Sequence, residues 1–246
     1  MQWKTAISKI SDNKETIRGY DLSELIKNKS FVETIFLVLK GNLPSADESK
    51  MLNALFTAAI DHGVGIASTL TARTVASAGN SMHTALAAGI LAMGKLHGGA
   101  TEEAAKFFTE NINEKNIAEL VKSLKDKKIR LPGFGHKVLT QDHRSETLFA
   151  VAKETKFYGQ HSKFAQAVGE ELNKISSKPL PLNIDGAMAA ILLDMGFPWQ
   201  MAKGIFITAR VPGLVAHIYE EMMCDAGIRR LDSSEEEYIG EAERQI

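Results

Sequence analysis

His136 follows a short loop that the sequence makes unusually rigid. The loop reads Leu131-Pro132-Gly133-Phe134-Gly135 and runs directly into the histidine. Pro132 fixes one backbone angle and removes a hydrogen-bond donor, whereas Gly133 and Gly135 permit backbone conformations closed to other residues. A loop constrained in this way aims the side chain that follows it. Histidine changes its charge near neutral pH, so the pattern indicates proton transfer, with a turn and an incidental surface histidine as the alternative.

Three other residues stand where proton or anion chemistry is feasible. Asp185, in Asn183-Ile184-Asp185-Gly186, is expected in the first turn of a helix, where the helix dipole tolerates a negative charge. His97 precedes two glycines, and His62 precedes Gly63. Each has a plainer interpretation, since a helix-start aspartate is a common cap and a histidine at a helix end can satisfy loose carbonyl groups.

Five stretches in order resemble the citrate synthase family, which includes citryl-CoA lyase and the C-terminal domain of ATP citrate lyase. They are residues 17–26, 61–63, 96–100, 132–138 (with Asp142 and Arg144 just beyond) and 183–186. The resemblance extends from about residue 17 to the C-terminus. It implies a citrate-synthase-like helical fold and chemistry at a carbon–carbon bond next to a CoA thioester.

The resemblance also implies a role for each of these side chains. Asp185 matches the carboxylate that moves the proton on the acetyl carbon. His97 matches the donor that holds the thioester oxygen. His136 would polarise the ketone of oxaloacetate, or take the proton from the citryl hydroxyl in the reverse direction. His62 matches the histidine that holds a substrate carboxylate or hydroxyl. The other histidines are assigned structural or surface roles.

The substrates of this family carry several carboxylates, which planar guanidinium groups bind in bidentate fashion. Arg144 matches the family arginine after the loop histidine, although its spacing from His136 is slightly short. Arg210 matches a second family arginine. Either Arg229 or Arg230 would be a third, supplied across a subunit interface.

Coenzyme A brings phosphate groups, which need basic side chains in the site. Lys137, after His136, and Lys178, before Pro179, are the candidates for these phosphates. Ordinary surface lysines are the alternative at both positions. No metal site and no tightly bound cofactor are expected, because coenzyme A enters as part of the substrate.

The direction of the reaction is less firmly indicated than its type. The segment between Pro44 and Asp61 is very short, and this compact layout resembles citryl-CoA lyase and the lyase domain of ATP citrate lyase. His97, which that domain lacks, keeps the synthase-like set, and Lys137 stands where many relatives have arginine. Cleavage of citryl-CoA to acetyl-CoA and oxaloacetate is therefore favoured. The alternatives are a small citrate or methylcitrate synthase, which condenses acetyl-CoA or propionyl-CoA with oxaloacetate, and a non-catalytic subunit that binds CoA esters.

Composition excludes several other classes of protein. The 246 residues carry 29 basic and 30 acidic side chains, a net charge of −1, so no broad basic field attracts nucleic acid. The longest apolar run, 85–93, is too short to span a bilayer, and the N-terminus lacks the apolar core of a signal peptide. The single cysteine, Cys224, excludes an intrachain disulfide. We expect a soluble cytoplasmic enzyme that binds small molecules and neither nucleic acid nor membranes.

The hydrophobic pattern predicts an all-α fold with a short N-terminal β-hairpin within residues 5–20. Three apparent capping boxes begin at Asp21, Ser30 and Ser45. Pro212 and Gly213 are expected to separate two helices at 199–209 and 212–223.

A single catalytic domain over 1–246 is expected, with a large lobe at about 1–99 and 201–246 and a small, closing lobe at about 100–200. Two helices rich in small residues, near 66–78 and 80–95, suit a crowded core or a subunit interface. This pattern, together with the shared arginine implied by the family, predicts a homo-oligomer.

Overall fold

The computed structural model describes residues 2–135, 142–225 and 227–245. Near the N-terminus, three antiparallel strands form a small sheet in the order β1 (Ser8–Ser11), β2 (Lys14–Ile17) and β3 (Tyr20–Asp21). Ser8 pairs with Ile17 and Ser11 with Lys14, across a turn in which Asp12 and Asn13 have positive φ angles. Asparagine and aspartate tolerate this left-handed conformation better than most residues. The predicted hairpin is confirmed, and a third short strand extends it.

The other regular elements of the described chain are helices, which confirms the predicted fold class. The helices are α1 (Leu22–Asn28), α2 (Phe31–Lys40), α3 (Ala46–Ala59), α4 (Ala67–Ser77), α5 (Met82–Leu91), α6 (Ala100–Asn111), α7 (Ile117–Asp126), α8 (His143–Glu154), α9 (Gln160–Ile175), α10 (Ile184–Asp194) and α11 (Ala202–Met222). Short 3-10 turns lie at Trp199–Met201 and Ser233–Glu235. Among the described residues, no helix is both long and apolar enough to cross a membrane.

Two of the three predicted capping boxes are present. Ser30 and Ser45 each accept a hydrogen bond from the backbone N–H three residues on, and the glutamate there accepts one in return. At Asp21 the prediction of a box is wrong. Asp21 caps α1 by accepting from the Ser23 N–H, while the Glu24 carboxylate instead binds Lys27 within the same helix.

The predicted break at Pro212 and Gly213 is also wrong, because α11 continues through both residues. A proline inside a helix removes one backbone hydrogen bond and usually kinks or ends it. Here Leu214 and Ile218, in the next two turns, are fully buried. Their packing stabilises the helix beyond Pro212, so tertiary structure outweighs the local preference.

The chain divides into two compact units. The first unit comprises Met1–Ile60 and Gly98–Arg210, and the second comprises Asp61–His97 and Val211–Ile246. In the first unit α10 is the central helix: its residues from Gly186 to Leu192 are all buried, and it packs against α6, α8 and α9. The expected small lobe, residues 100–200, lies within this unit. Its closing motion stays a prediction.

In the second unit, α4 and α5 pack closely against each other. Gly89 makes this approach feasible, because a Cβ atom there would lie 3.0 Å from the Ala72 Cβ and 3.1 Å from the Ser68 carbonyl oxygen. The small residues at this contact therefore allow the two helices to pack closely, as one of the two sequence interpretations expected.

Candidate active site

The loop before His136 is fastened to the segment that leads into α10. The Gly135 N–H donates to the Pro181 carbonyl at 2.7 Å, and the Asn183 N–H donates to the Gly133 carbonyl at 3.0 Å. Between these bonds, Phe134 and Leu182 form an isolated antiparallel bridge. The rigid loop predicted from its proline and glycines is thus held at the N-terminus of the helix that carries Asp185.

Asn183 joins the two elements through its side chain. Its Oδ1 accepts from the backbone N–H groups of Asp185 and Gly186, at 3.0 and 3.2 Å, and so caps α10. Its Nδ2 donates to the Gly135 carbonyl at 2.9 Å. The sequence alone does not indicate a role for this residue. An asparagine at an N-cap position is a recognisable signal, but its second bond depends on the loop, which is distant in sequence.

Asp185 lies in the first turn of α10, as predicted, and is half-buried. The Thr101 hydroxyl, at the start of α6, donates to its Oδ1 at 2.8 Å. Thr101 is fully buried, so its hydroxyl is a fixed partner that orients the carboxylate. The sequence does not single out Thr101, because nothing local shows which helix packs against α6.

Two glycines face each other where the loop meets α10. Gly133 has a φ angle of +83°, in the left-handed region, and a Cβ atom there would lie 2.7 Å from the Gly186 Cα. A Cβ atom on Gly186 would in turn lie 2.5 Å from the Gly133 carbonyl oxygen. Both positions therefore require glycine, because any side chain would push the loop away from the helix.

We expect Gly133→Ala to destabilise the protein by about 2–5 kcal/mol, the sum of left-handed strain and overpacking. Gly204→Ala is the matched control, since no atom lies within 4 Å of the Cβ it would add on α11. Urea unfolding of both variants measures the free energies. If the unfolding free energy of Gly133→Ala lay within about 0.5 kcal/mol of the parent value, the usual range for neutral surface changes, the loop would not pack against Gly186 as closely as described.

Asp142 connects Arg144 to the N-terminus of α10. Its side chain is only 1% exposed. Oδ1 accepts from the Arg144 backbone N–H and Nε at 3.1 and 3.0 Å, and Oδ2 accepts from Arg144 Nη2 at 2.9 Å and from the Ile184 N–H at 3.0 Å. Burial raises the pKa of Asp142, but the hydrogen bonds and charge of Arg144, with the Ile184 N–H, outweigh it and hold the pKa below its ordinary value.

The segment 136–141 lies outside the described residues, so the predictions for His136 and Lys137 are not addressed by the structure. The residues on either side of it are described. Gly135 accepts from Asn183, and Asp142 accepts from the Ile184 N–H. Both flanks of the segment are therefore attached to the N-terminus of α10.

The other two predicted site residues that the structure describes in the first unit are Arg210 and Lys178. Arg210 is buried, its Nε donates to the Ala59 carbonyl at 2.7 Å, and its guanidinium carbon lies 5.0 Å from the centre of the Phe206 ring. These contacts fix the guanidinium at the end of α3. Lys178 is exposed in the link between α9 and α10.

In the second unit, His97 is half-buried and its Nε2 forms a 2.8 Å hydrogen bond with the Ser68 hydroxyl. Ser68 lies on α4 and is fully buried, so it fixes the orientation of the imidazole ring. The sequence did not identify this partner, because Ser68 is one of many small residues in α4. His62 is exposed and follows Asp61, whose carboxylate accepts from the Gly63 N–H at 2.9 Å and from His217 Nε2 at 3.1 Å.

The two neighbouring arginines near the C-terminus differ in their contacts. Arg229 forms a bidentate ion pair with Glu221 on its own chain, with Nε to Oε1 at 2.7 Å and Nη2 to Oε2 at 3.1 Å. Arg230 is exposed. The structure thus groups Asp185 and Arg144 around the start of α10 in the first unit, and places His62, His97, Arg229 and Arg230 in the second.

Comparison with known proteins identifies the family. Residues 45–231 match the family described as "Citrate synthase, C-terminal domain". Citryl-CoA lyase from Hydrogenobacter thermophilus is 43% identical with a TM-score of 0.93, over 99% of this chain and 97% of that chain.

Two further relatives match over a smaller share of their own length. ATP citrate lyase from Methanosaeta concilii shares the fold, with a TM-score of 0.86 at 22% identity over 99% of this chain and 42% of that one. Citrate synthase 2 of Bacillus subtilis is 30% identical over 207 residues, 83% of this chain and 55% of the relative, so the chain spans about half of that protein's length. The ordered motifs, the helical fold and these matches show that the chain belongs to the citrate synthase family.

Proposed function

We propose that this protein is a citryl-CoA lyase, which cleaves (3S)-citryl-CoA to acetyl-CoA and oxaloacetate. The observation that carries the proposal is the match to the Hydrogenobacter thermophilus citryl-CoA lyase, which covers nearly the whole of both chains at 43% identity. The citrate synthase relative matches at 30% identity, and the chain spans only 55% of its length. The compact layout is therefore that of the lyase.

The cleavage needs one proton removed and one proton added. His136 takes the proton of the citryl hydroxyl as the adjacent carbon–carbon bond breaks and the ketone of oxaloacetate forms. The electron pair of that bond passes to the thioester fragment as an enolate, whose oxygen His97 holds. Asp185, protonated at this stage, delivers a proton to the enolate carbon and so completes acetyl-CoA.

The contacts of two of these residues support their roles. Thr101 donates to Asp185 from a buried position and so fixes the direction of the carboxylate. Ser68 binds Nε2 of His97 from a buried position and so fixes the orientation of the imidazole ring. Both arrangements hold a reacting group in place before the substrate arrives, which is how preorganised sites lower a barrier.

The carboxylates of the substrate are assigned to His62, Arg144, Arg210 and one of the arginines at 229 and 230. Of the last two, Arg230 is the better candidate for a neighbouring subunit, because Arg229 is held on its own chain through its side chain by Glu221 and through its backbone by Ser77. The CoA phosphates are assigned to Lys137 and Lys178. Coenzyme A enters and leaves as part of the substrate, with no tightly bound cofactor. The cytoplasm is the proposed compartment, because Cys224 is the only cysteine of the chain.

Condensation of acetyl-CoA or propionyl-CoA with oxaloacetate is the second candidate function, favoured by the 30% identity to a citrate synthase. A non-catalytic subunit that binds CoA esters is the third. The purified protein should be offered citryl-CoA in one assay, and acetyl-CoA with oxaloacetate in another. The lyase proposal expects faster turnover of citryl-CoA. Absence of turnover in both assays would favour the binding subunit.

We also propose a homo-oligomer, at least a dimer. Several large apolar side chains of the second unit are exposed, including Leu91 at 84% and Leu96 at 99%. An apolar surface of this kind commonly marks a protein–protein interface. Sedimentation at micromolar concentration should give at least twice the chain mass of 26.9 kDa. A sedimenting species of the single-chain mass would contradict this prediction.

A further inference from the structure

Glu221 is a buried carboxylate held between two arginines of the second unit. It lies on α11 with its side chain only 1% exposed. Arg73, on α4, donates from Nε to Oε2 at 2.6 Å, and Arg229 donates to both carboxylate oxygens at 2.7 and 3.1 Å. A buried charge is tolerated only when it is paired and hydrogen-bonded. Three N–H groups from two different segments meet this requirement.

These bonds fix the chain next to Arg230. Besides its side-chain contacts with Glu221, Arg229 donates its backbone N–H to the Ser77 hydroxyl at 2.9 Å. One residue is thereby held through both its backbone and its side chain. Arg230 follows immediately, so its backbone starts from a fixed point even though its side chain is exposed.

Arg73, on α4, also makes polar contacts that lead away from Arg229. Arg73 Nη1 donates to Glu220 at 3.0 Å, and Glu220 lies 3.7 Å from His217 Nδ1, one turn earlier on α11. His217 Nε2 donates to Asp61 Oδ1 at 3.1 Å. The other oxygen of Asp61 accepts from the Gly63 N–H at 2.9 Å and closes a tight turn.

His62 is the central residue of that turn. A continuous series of polar contacts, which we call the α11 network, therefore runs from the turn around His62 to the segment around Arg230. Its members are Asp61, His217, Glu220, Arg73, Glu221 and Arg229.

We propose that Glu221 and His217 are positioning residues, and that the α11 network holds His62 and Arg230 in fixed, mutually dependent positions for binding substrate carboxylates. The proposal rests on the proposed function, because it assigns both end residues to the substrate. It adds two side chains that need not touch the substrate. It also implies that a substitution at one end of the network loosens the backbone at the other end.

The charges within the network support this reading. Hydrogen bonds from Arg229 are the main influence on the pKa of Glu221 and, with those of Arg73, outweigh burial and hold it below its ordinary value. For Asp61, burial raises the pKa, but the N–H groups of Gly63 and His62 and the bond from His217 together lower it. Both carboxylates are therefore ionised at neutral pH, as the charge-assisted bonds to Arg73 and His217 require.

The first test needs no substrate. Glu221→Gln keeps the shape of the side chain and removes its charge, and His217→Phe keeps a ring and removes both nitrogens. Amide hydrogen exchange is followed in peptides that cover residues 61–63 and 227–231. Each variant should speed exchange in both peptides, whereas the control Glu241→Gln, an exposed carboxylate paired with Arg244, should leave both at the parent rate. Exchange that rises only beside the mutated residue would overturn the coupling.

The second test uses steady-state kinetics with citryl-CoA. Each single variant should raise KM about tenfold, as expected for loss of one charge-assisted hydrogen bond, while kcat changes less than about twofold. The double variant should raise KM by much less than the product of the two single effects, because coupled residues are not additive. Glu221→Asp, which keeps the charge, should have a KM between those of the parent and Glu221→Gln. It replaces Glu221→Gln in the test if that variant fails to fold. Unchanged KM values, or independent effects that multiply, would contradict the proposal.

The two tests separate this inference from the proposed function. An unmutated protein with no activity on citryl-CoA or on acetyl-CoA with oxaloacetate would defeat the proposed function, whereas the exchange measurement would still decide whether the network couples its two ends.

Discussion

Asp185→Asn should lower turnover roughly 10²–10⁴-fold, the usual contribution of a general acid–base group, in both cleavage and condensation. The substitution keeps the size of the side chain and removes the proton that the mechanism delivers to the enolate carbon. The amide can still accept from Thr101, which holds the present carboxylate at 2.8 Å, so the geometry of the first turn of α10 should survive. Affinity for oxaloacetate should change little, because its carboxylates are assigned to other residues.

Two companion variants sharpen this test. Thr101→Val removes the hydroxyl that orients Asp185 but leaves the carboxylate, and should cost about tenfold in turnover, the effect of one hydrogen bond to a charged group. Asp126→Asn changes an exposed aspartate at the end of α7 and should have no effect. Thermal unfolding of each variant separates lost chemistry from lost structure. Near-normal turnover of Asp185→Asn in both directions would show that this residue is not the acid–base group.

Asp142→Ala should lower the free energy of unfolding at pH 7 by about 3–5 kcal/mol, the cost of breaking a buried ion pair from one side. The change leaves three N–H groups of Arg144 and the Ile184 N–H without the carboxylate that they now bind. Urea unfolding at pH 7 measures the loss. Asp126→Asn again serves as the surface control.

Asp142 should also make the free energy of unfolding depend on pH, with a definite sign. The pKa of Asp142 is lower in the folded protein than its ordinary value, so its stabilising effect is complete above the unfolded pKa, about 4. The effect is lost as the pH falls below that value and through the lower folded pKa. The difference in unfolding free energy between parent and Asp142→Ala should therefore shrink between about pH 5 and pH 2. A difference that stayed constant over this range would mean that the charge of Asp142 is not what stabilises the protein.

The sequence predicted the helical fold, the N-terminal hairpin and the first-turn position of Asp185, because each depends on local preference. Capping residues and turn residues act within a few positions, so Ser30 and Ser45 could be recognised directly. Pro212 shows the limit of such rules. Its local preference for ending a helix is outweighed by the burial of Leu214 and Ile218, which only the packed structure reveals.

The supporting residues that the sequence did not reveal were missed for a different reason. Thr101 binds Asp185 across 84 positions of sequence, Ser68 binds His97 across 29, and Glu221 binds Arg73 across 148. Short polar side chains such as threonine and serine occur throughout the chain, and nothing local distinguishes one with a distant partner. The catalytic candidates stood out because glycine and proline surround them, whereas their supporting partners lie in ordinary helices.

The most direct test of the central claim is the fate of citryl-CoA with the purified protein. A lyase converts it to acetyl-CoA and oxaloacetate in equal amounts, whereas hydrolysis of the thioester yields citrate and free coenzyme A. The four products can be separated and quantified after a single incubation, with Asp185→Asn as the inactive control. We predict equal amounts of acetyl-CoA and oxaloacetate, with citrate near the level of the enzyme-free blank. Citrate and free coenzyme A as the main products would contradict the assignment as a lyase.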